Sequence, residues 1–291
     1  MSYLDKIRAC NACNPADFLP WMLAGERVGA VRRTLAAHLK RWPEQFQVDD
    51  VRVDWYGAPD SMAARSAVLA EMVEVLVAAG LIEALQGEPY AVTPNRRDQA
   101  RCLIDRAAAP WFGVRAFGQH LNGFVRTGRG DPGQQIQLWV GRRSANRRVS
   151  PLHLDNLVAG GLPYGVSLRD NLRKECHEEA AIPTVIADQA VPVSAITYCR
   201  DAARGLKPDL MYCYDLELPE SFVPHCTDGE VESFTRLPAA EVARLVRDTD
   251  EFKLNCNLVV IDFLIRHGVI AQEDPDYIAL IRGLRSPLPG G

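Results

Sequence analysis

Residues 160–183 read GGLPYGVSLRDNLRKECHEEAAIP, a glycine-rich loop that runs into a predicted helix. Ser167 is a good N-cap, and Asp170, three residues later, completes an approximate capping box. Pro183 ends the run, because proline lacks a backbone N–H and cannot continue a helix. The stretch therefore predicts one well-capped helix that begins directly after a flexible loop.

The predicted helix has an apolar face and an acidic face. Apolar side chains recur every four residues, at Leu168, Leu172 and Cys176. Glutamates at i, i+3 and i+4 share another face, at Glu175, Glu178 and Glu179. Like charges on one helical turn repel each other, and Mg²⁺ or Mn²⁺ is the simplest means of stabilising such carboxylates. The acidic face is thus a candidate metal site, with a solvated helix face as the alternative.

The spacing across the loop and helix resembles the Nudix box, G-x5-E-x7-R-E-U-x-E-E-x-G-U, in which U is an aliphatic residue. Gly160 matches the first glycine of that box. Glu175, Glu178 and Glu179 match its last three glutamates, and Cys176 falls on an apolar position. The resemblance implies a divalent-metal-dependent hydrolase of diphosphate linkages.

Three positions depart from the box. Val166 stands where the box has its first glutamate, and it can act neither as an acid nor as a ligand. Lys174 replaces the arginine, and we expect it to orient Glu175 or to pair with Asp170. Ala181 replaces the last glycine. A non-catalytic protein that has kept the fold and binds a ligand is therefore one alternative.

Flanking segments resemble one Nudix branch that carries an extra N-terminal domain. They are residues 115–124, 138–144, 154–161, 228–232 and 262–268. This branch is related to the segment fused to thiamine pyrophosphokinase in some eukaryotes. Its box is typically GG-x-P-x-G-x-S-x-x-E-x-x-x-K-E-x-x-E-E-A, so Lys174 is usual there and Asp170 takes the displaced acidic position.

The resemblance also implies a set of site residues. The backbone carbonyl of Gly160 would bind the metal, together with Glu178 and Glu179 as the main side-chain ligands. Glu175 would be a further ligand or would orient one, and the ion would be Mg²⁺ or Mn²⁺. A downstream acid often joins such sites, and Glu230 is the candidate for a further ligand or for the base that activates water.

Basic residues near the loop are candidates for binding substrate phosphate. Arg142 and Arg143 lie on the predicted strand beside the loop, and guanidinium groups suit phosphate oxygens. Lys174 is a third candidate. An exposed strand end is the alternative interpretation of the two arginines.

The implied substrate is a small molecule that carries a diphosphate. Relatives in this branch look like diphosphatases of thiamine diphosphate and its oxo and oxy derivatives, which would release the monophosphate and phosphate. Another X-linked diphosphate, such as ADP-ribose, a dinucleotide or coenzyme A, is the main alternative substrate. Nothing in the spacing of the charges distinguishes these substrates.

Composition limits the partners. The 291 residues are 47% hydrophobic and carry a formal net charge of −4, which argues against a general nucleic-acid or membrane-surface binder. No apolar run approaches the roughly 20 residues that span a bilayer. The first 14 residues lack the apolar segment of a secretory signal, so we expect a cytoplasmic protein with reduced cysteines. A homodimer is compatible with the sequence.

The chain should form two domains of the α/β (α+β) class. Residues 1–112 predict a smaller α+β domain, and residues 113–291 predict a Nudix α/β/α sandwich around a mixed sheet. In the first domain we expect helices at 28–39 and 63–79, and strands at 81–85 and 89–92 that pair. This domain shows no catalytic constellation. It would shape the substrate pocket, mediate dimerisation or cap the sheet.

Overall fold

The computed structural model describes residues 2–128 and 130–289. The first part of the chain contains α1 (Tyr3–Cys10), β1 (Phe18–Leu23), β2 (Glu26–Arg32), α2 (Arg33–Leu39), β3 (Gln47–Val48), β4 (Val53–Asp54), α3 (Met62–Ala78), β5 (Pro89–Val92) and β6 (Cys102–Asp105). The second part begins with β7 (Ala116–Arg126), α4 (Pro132–Gln135), β8 (Ile136–Arg143), β9 (Leu154–Asp155), β10 (Val158–Gly161), α5 (Leu168–Ala180) and α6 (Thr184–Ala187). It continues with β11 (Val191–Ala202), β12 (Gly205–Glu217), β13 (Val231–Pro238), α7 (Ala239–Asp248), α8 (Leu254–Arg266) and α9 (Tyr277–Gly283).

A seven-stranded sheet forms the centre of the second part. Its path is β11-β12-β7-β8-β13, with β10 paired to β7 and β9 paired to β8. Strands β7 and β12 are parallel, and the other neighbours are antiparallel. The predicted mixed sheet is therefore confirmed.

Helices cover both faces of this sheet. On one face α8 buries nine consecutive residues, 256–264, and the ring of Phe263 lies 5.5 Å from that of Phe124 in β7. On the other face α5 buries Leu172 and Cys176 in a cluster that includes Leu121 from β7. A helix that is apolar on one stripe must bury it against another element, and the sheet supplies that surface. The predicted α/β/α sandwich is confirmed.

Helix α5 begins where the sequence predicts. The Ser167 side chain accepts a hydrogen bond from the Asp170 backbone N–H at 3.0 Å and donates one to the Asp170 carboxylate at 2.6 Å. At the other end the chain leaves the helix at Ala181, which has a left-handed backbone with φ of 51°. The N–H of Ile182 then donates to the carbonyl of Cys176. Such a C-terminal cap is the usual role of glycine.

The left-handed conformation of Ala181 makes one prediction about stability. Ala181→Gly should raise the free energy of unfolding by about 0.5 to 1 kcal/mol, because glycine adopts this backbone without steric cost. Chemical denaturation of the two proteins measures the difference. Lower stability of the variant would show that the greater freedom of glycine in the unfolded chain outweighs the relief of strain.

The first part of the chain folds around a second sheet, in the order β2-β1-β4-β3. Trp21 and Trp55 are fully buried there, and their rings stack 6.1 Å apart. Two predicted elements are wrong. Residues 26–32 are a strand rather than the start of a helix, because they pair with β1. Strand β5 pairs with β6 and not with residues 81–85. The carbonyl of Pro89 in β5 accepts a hydrogen bond from Tyr164 in the second part.

Helix α1 packs on the second part of the chain. Ile7 and Cys10 belong to the same buried cluster as α8, and the Tyr3 hydroxyl donates to the carbonyl of Ala243. The division at residues 112 and 113 remains a prediction. Over residues 2–128 and 130–289, no helix is both long and apolar enough to cross a membrane.

Candidate active site

The carboxylates of α5 lie against the end of β10. The Ala159 N–H donates to Glu179 Oε2 at 2.7 Å. Glu175 fills the space beside Gly160, where a Cβ atom would come within 2.3 Å of the Glu175 Cδ. Gly160 must therefore be glycine for Glu175 to sit there. These contacts bring the loop and two of the three predicted acids together.

Burial gives these acids unusual proton affinities. The Glu179 residue is only 5% exposed, and burial together with the charges of Asp155, Glu175 and Glu230 raises its pKa to about 8. Burial also raises the pKa of Glu175, although Lys174 opposes the shift. A carboxyl group in such surroundings becomes charged at neutral pH only when a cation compensates it.

Glu178 lies at the exposed side of the cluster. Lys174 Nζ contacts its Oε2 at 2.6 Å and the Oε1 of Glu175 at 3.6 Å. Lys174 therefore contacts Glu175, as expected, whereas Asp170 is engaged with Ser167 instead. Lys174 occupies one oxygen of Glu178 and compensates the charge that a bound cation would otherwise compensate.

The predicted donors are carboxylate oxygens and the carbonyl of Gly160, the oxygen types that Mg²⁺ and Mn²⁺ prefer. Within the described part of the chain, the oxygens of Glu175, Glu178 and Glu179 do not all lie within 4.8 Å of one another, so a cation would have to draw these side chains together. The absence of a side chain at Gly160 makes room for the Glu175 carboxylate at the loop. The Ala159 N–H fixes one oxygen of Glu179 and leaves the other available.

Glu230 faces the same region from the turn before β13. Its charge acts on both Glu175 and Glu179, and it forms an ion pair with Arg147. Its backbone carbonyl accepts from the Ser144 N–H at 2.9 Å, which holds the turn against the end of β8. The predicted fourth acid thus lies close enough to Glu175 and Glu179 to act on both.

The two predicted phosphate-binding arginines occupy different surroundings. Arg143 is buried, and its guanidinium group pairs with Asp155 at 2.7 Å and donates to the carbonyls of Val149 and Ser150. Arg142 donates to the carbonyl of Leu152 at 2.7 Å. Both groups hold the loop after β8, and their role in binding substrate stays a prediction.

A second cluster of titratable side chains is fully buried. Of the residues that the structure describes, ligand atoms of three His, Cys, Asp or Glu approach within 4.8 Å of one another at His120, Asp155 and Cys256. Burial alone would raise the pKa of Asp155, but Lys253, His120 and Arg143 hold it at about 2. Lys253 and Arg143 already neutralise this carboxylate, so the group is a structural network and not a favourable cation site.

A cavity of about 620 Å³ opens beside the loop, between the two parts of the chain. Gly160, Gly161 and Glu230 line it. Its lining contains three acidic residues, Glu88, Asp209 and Glu230, against eight basic ones, Arg106, Arg143, Arg147, Arg148, Arg200, Arg204, Lys207 and Lys253. The formal charge of this lining is +5, against −4 for the whole chain. It is still +3 when two neighbouring acids are included: Asp155, which pairs with Arg143 and Lys253, and Glu83, which pairs with Arg204. The cavity therefore suits an anionic ligand.

Sequence reasoning missed most of these cations. Arg147 and Arg148 were detectable as a basic pair directly after the candidate strand of Arg142 and Arg143. No sequence motif around Arg106 indicates a binding site, and no catalytic constellation was predicted in its part of the chain. Only the packing of that part against Gly161 brings it to the cavity.

Comparisons with known proteins show which proteins this chain resembles. A family model described as "Domain of unknown function (DUF4743)" matches residues 2–116. Nudix hydrolase 20, chloroplastic, of Arabidopsis thaliana is 39% identical over 295 residues, which cover 98% of this chain and 78% of that protein. Nudix hydrolase 24, chloroplastic, of the same plant is 39% identical over 288 residues, with the same two coverages.

Among solved structures, the protein DR0079 from Deinococcus radiodurans is similar to this chain. The match has a TM-score of 0.41 and 22% sequence identity, and it covers 60% of this chain and 97% of that one.

Proposed function

The chain belongs to the Nudix hydrolases, and from that premise we propose that it is a divalent-metal-dependent diphosphatase. We propose Glu175, Glu178, Glu179 and the Gly160 carbonyl as the ligands of Mg²⁺ or Mn²⁺. The observation that carries the proposal is the buried Glu179 beside Gly160, at the edge of a cavity with a formal charge of +5.

Each residue of the site has a chemical task in this proposal. Bound divalent ions would supply charge neutralisation of the phosphate oxygens and a more acidic water. Glu230 would accept the proton of the attacking water, because it lines the cavity and lies within electrostatic reach of Glu175 and Glu179. Arg147 holds the Glu230 carboxylate by an ion pair and so fixes its position.

The proposed substrate is thiamine diphosphate or one of its oxidised analogues. The flanking segments that resemble the thiamine-related branch support it. Hydrolysis would then give the monophosphate and phosphate. Another X-linked diphosphate is the second candidate. The eight basic residues of the cavity favour a compound with a further phosphate, such as coenzyme A, because it adds negative charge beyond the reacting diphosphate.

A panel of diphosphates with Mn²⁺ or Mg²⁺ tests these proposals. The panel contains thiamine diphosphate, its oxo and oxy derivatives, ADP-ribose, a dinucleotide and coenzyme A, and chromatography identifies the products. The expected result is the highest kcat/KM on a thiamine-type compound, with loss of activity in chelator. A strong preference for a nucleotide would replace the proposed substrate, and binding without turnover would favour a non-catalytic protein.

Two finer expectations concern the protein in the cell. A cytoplasmic location and a homodimer both remain predictions from the sequence. Fractionation of cells and light scattering of the purified full chain would test them.

A further inference from the structure

The β5–β6 region of the first part forms hydrogen bonds to the loop that carries Gly160. The Tyr164 N–H donates to the carbonyl of Pro89 at 2.7 Å, and Arg97 Nη1 donates to the carbonyl of Pro163 at 2.8 Å. The hydroxyl of Tyr90 would lie 2.3 Å from a Cβ atom placed on Gly161. The loop that carries the proposed metal ligand Gly160 is therefore held by residues outside the α/β/α sandwich.

Arg106 stands at the centre of this contact. It follows β6 directly, and its backbone N–H donates to the carbonyl of Glu88 at 2.9 Å. A Cβ atom on Gly161 would lie 3.2 Å from the Arg106 Cζ, so the guanidinium group touches the loop backbone. Gly161 thus leaves room for a cation one residue away from the proposed carbonyl ligand.

The guanidinium group of Arg106 uses one of its three nitrogens to contact Glu88. Its Nη1 contacts both carboxylate oxygens of Glu88, at 2.9 and 3.1 Å. Its Nε and Nη2 make no hydrogen bond within residues 2–128 and 130–289. The side chain is 38% exposed and lines the cavity together with Gly160 and Gly161. Three N–H donors therefore remain for a ligand in that cavity.

Electrostatics place Arg106 close to the proposed metal ligands. Burial lowers its pKa, but Tyr90, Glu88 and Glu175 more than offset this, so the group stays cationic. Burial also raises the pKa of Tyr90 to about 12, which keeps its hydroxyl protonated. A fixed cation and a neutral hydroxyl next to a metal loop match the charge of a diphosphate.

We propose that Arg106 binds the diphosphate of the substrate, so that the first part of the chain supplies a phosphate-binding residue to the active site. The inference rests on the proposed function for the identity of the ligand. A planar guanidinium group anchored by one nitrogen can offer its other two nitrogens to two phosphate oxygens, which an ammonium group cannot do. Among the three roles considered for the first domain, shaping the substrate pocket is the one this residue supports.

The test compares Arg106→Gln and Arg106→Lys with a matched control, Arg96→Gln. Arg96 lies between β5 and β6 as well, but its side chain is 66% exposed and pairs with Asp98. Three quantities are measured for the full chain: kcat and KM on the preferred diphosphate, Mn²⁺ affinity by calorimetry, and affinity for methylenediphosphonate in the presence of Mn²⁺.

We expect Arg106→Gln to raise KM and to weaken methylenediphosphonate binding by about tenfold to a hundredfold, because two charge-assisted hydrogen bonds are lost. Its Mn²⁺ affinity should stay within about twofold of the original, since Arg106 is not one of the proposed metal ligands. Arg106→Lys should recover part of the lost affinity, because lysine restores the positive charge but cannot offer two nitrogens to two phosphate oxygens. Arg96→Gln should match the original protein.

Unchanged KM and unchanged methylenediphosphonate affinity in Arg106→Gln would overturn the inference. An equal loss of Mn²⁺ affinity would also overturn it, because Arg106 would then act by holding the loop rather than by binding phosphate. The failure of the proposed function looks different. In that case the original protein turns over none of the diphosphates, while the binding comparison with methylenediphosphonate still decides the role of Arg106.

Discussion

Glu179→Gln and Glu178→Gln are each expected to lower kcat by about 10²- to 10⁴-fold, the range typical of losing a group that acts directly in the chemistry. Glutamine keeps the length and the carbonyl oxygen of glutamate but removes its charge. In the buried variant that oxygen still accepts from the Ala159 N–H, so the fold around β10 is preserved. The loss is therefore attributable to cation binding and not to packing.

The two variants should differ in how much activity a high Mn²⁺ concentration restores. Glu179 is 5% exposed and is fixed by the loop, so its replacement removes a preorganised ligand. The Glu178 side chain is 37% exposed, and Lys174 Nζ already compensates its charge at 2.6 Å, so its replacement removes a ligand that is less preorganised. We therefore expect a high Mn²⁺ concentration to recover more activity in Glu178→Gln than in Glu179→Gln.

Steady-state kinetics over a Mn²⁺ series measure both effects. Glu241→Gln serves as the control, because Glu241 is a half-exposed glutamate on α7 whose ion pair, among the residues that the structure describes, is with Arg244. Undiminished hydrolysis in both α5 variants would rule out this site as the catalytic centre. Equal loss in the control would point to an unspecific effect of removing surface charge.

The second large effect concerns stability without metal. Glu179→Gln should make the metal-free protein more stable at pH 8 by about 1 to 4 kcal/mol, and it should remove most of the stabilisation by Mn²⁺. The first part follows from a carboxyl group whose pKa burial raises to about 8, from the ordinary 4.5. The second part follows because a ligand stabilises the folded state only through groups that bind it.

The direction of the pH dependence follows from proton binding. Between pH 4.5 and 8 the folded protein holds a proton on Glu179 that the unfolded chain has released. The free energy of unfolding therefore falls as the pH rises through this window. His120, whose pKa burial and Lys253 lower to about 4, contributes the opposite slope below about pH 6.5. Both proteins share His120, so the difference between them isolates Glu179.

Denaturant unfolding at several pH values, with chelator and then with Mn²⁺, measures these quantities. The difference in free energy between variant and original should grow from pH 5 to pH 8 in chelator. Parallel pH curves would contradict the buried, protonated state of Glu179. An equal increase in stability with Mn²⁺ would show that the ion binds without this carboxylate.

Local patterns predicted the centre of the site well. The N-cap at Ser167, the apolar stripe and the shared face of the three glutamates all depend on residues within one helix. The same reasoning was confirmed at residues 33–39, which form α2, but was wrong at residues 28–32, because pairing with β1 makes 26–32 a strand. It also gave β5 the wrong partner, since β6 lies further along the chain than the segment 81–85.

The sequence by itself determined the acidic helix, the glycine loop before it and the class of fold, because these follow from spacings that the helix period fixes. Only the tertiary structure decided which cations meet the loop. It placed Arg143 against the buried Asp155 and brought Arg106 from the other part of the chain onto Gly161. The reason is physical: contacts between distant segments depend on how whole layers pack, and no local periodicity records that packing.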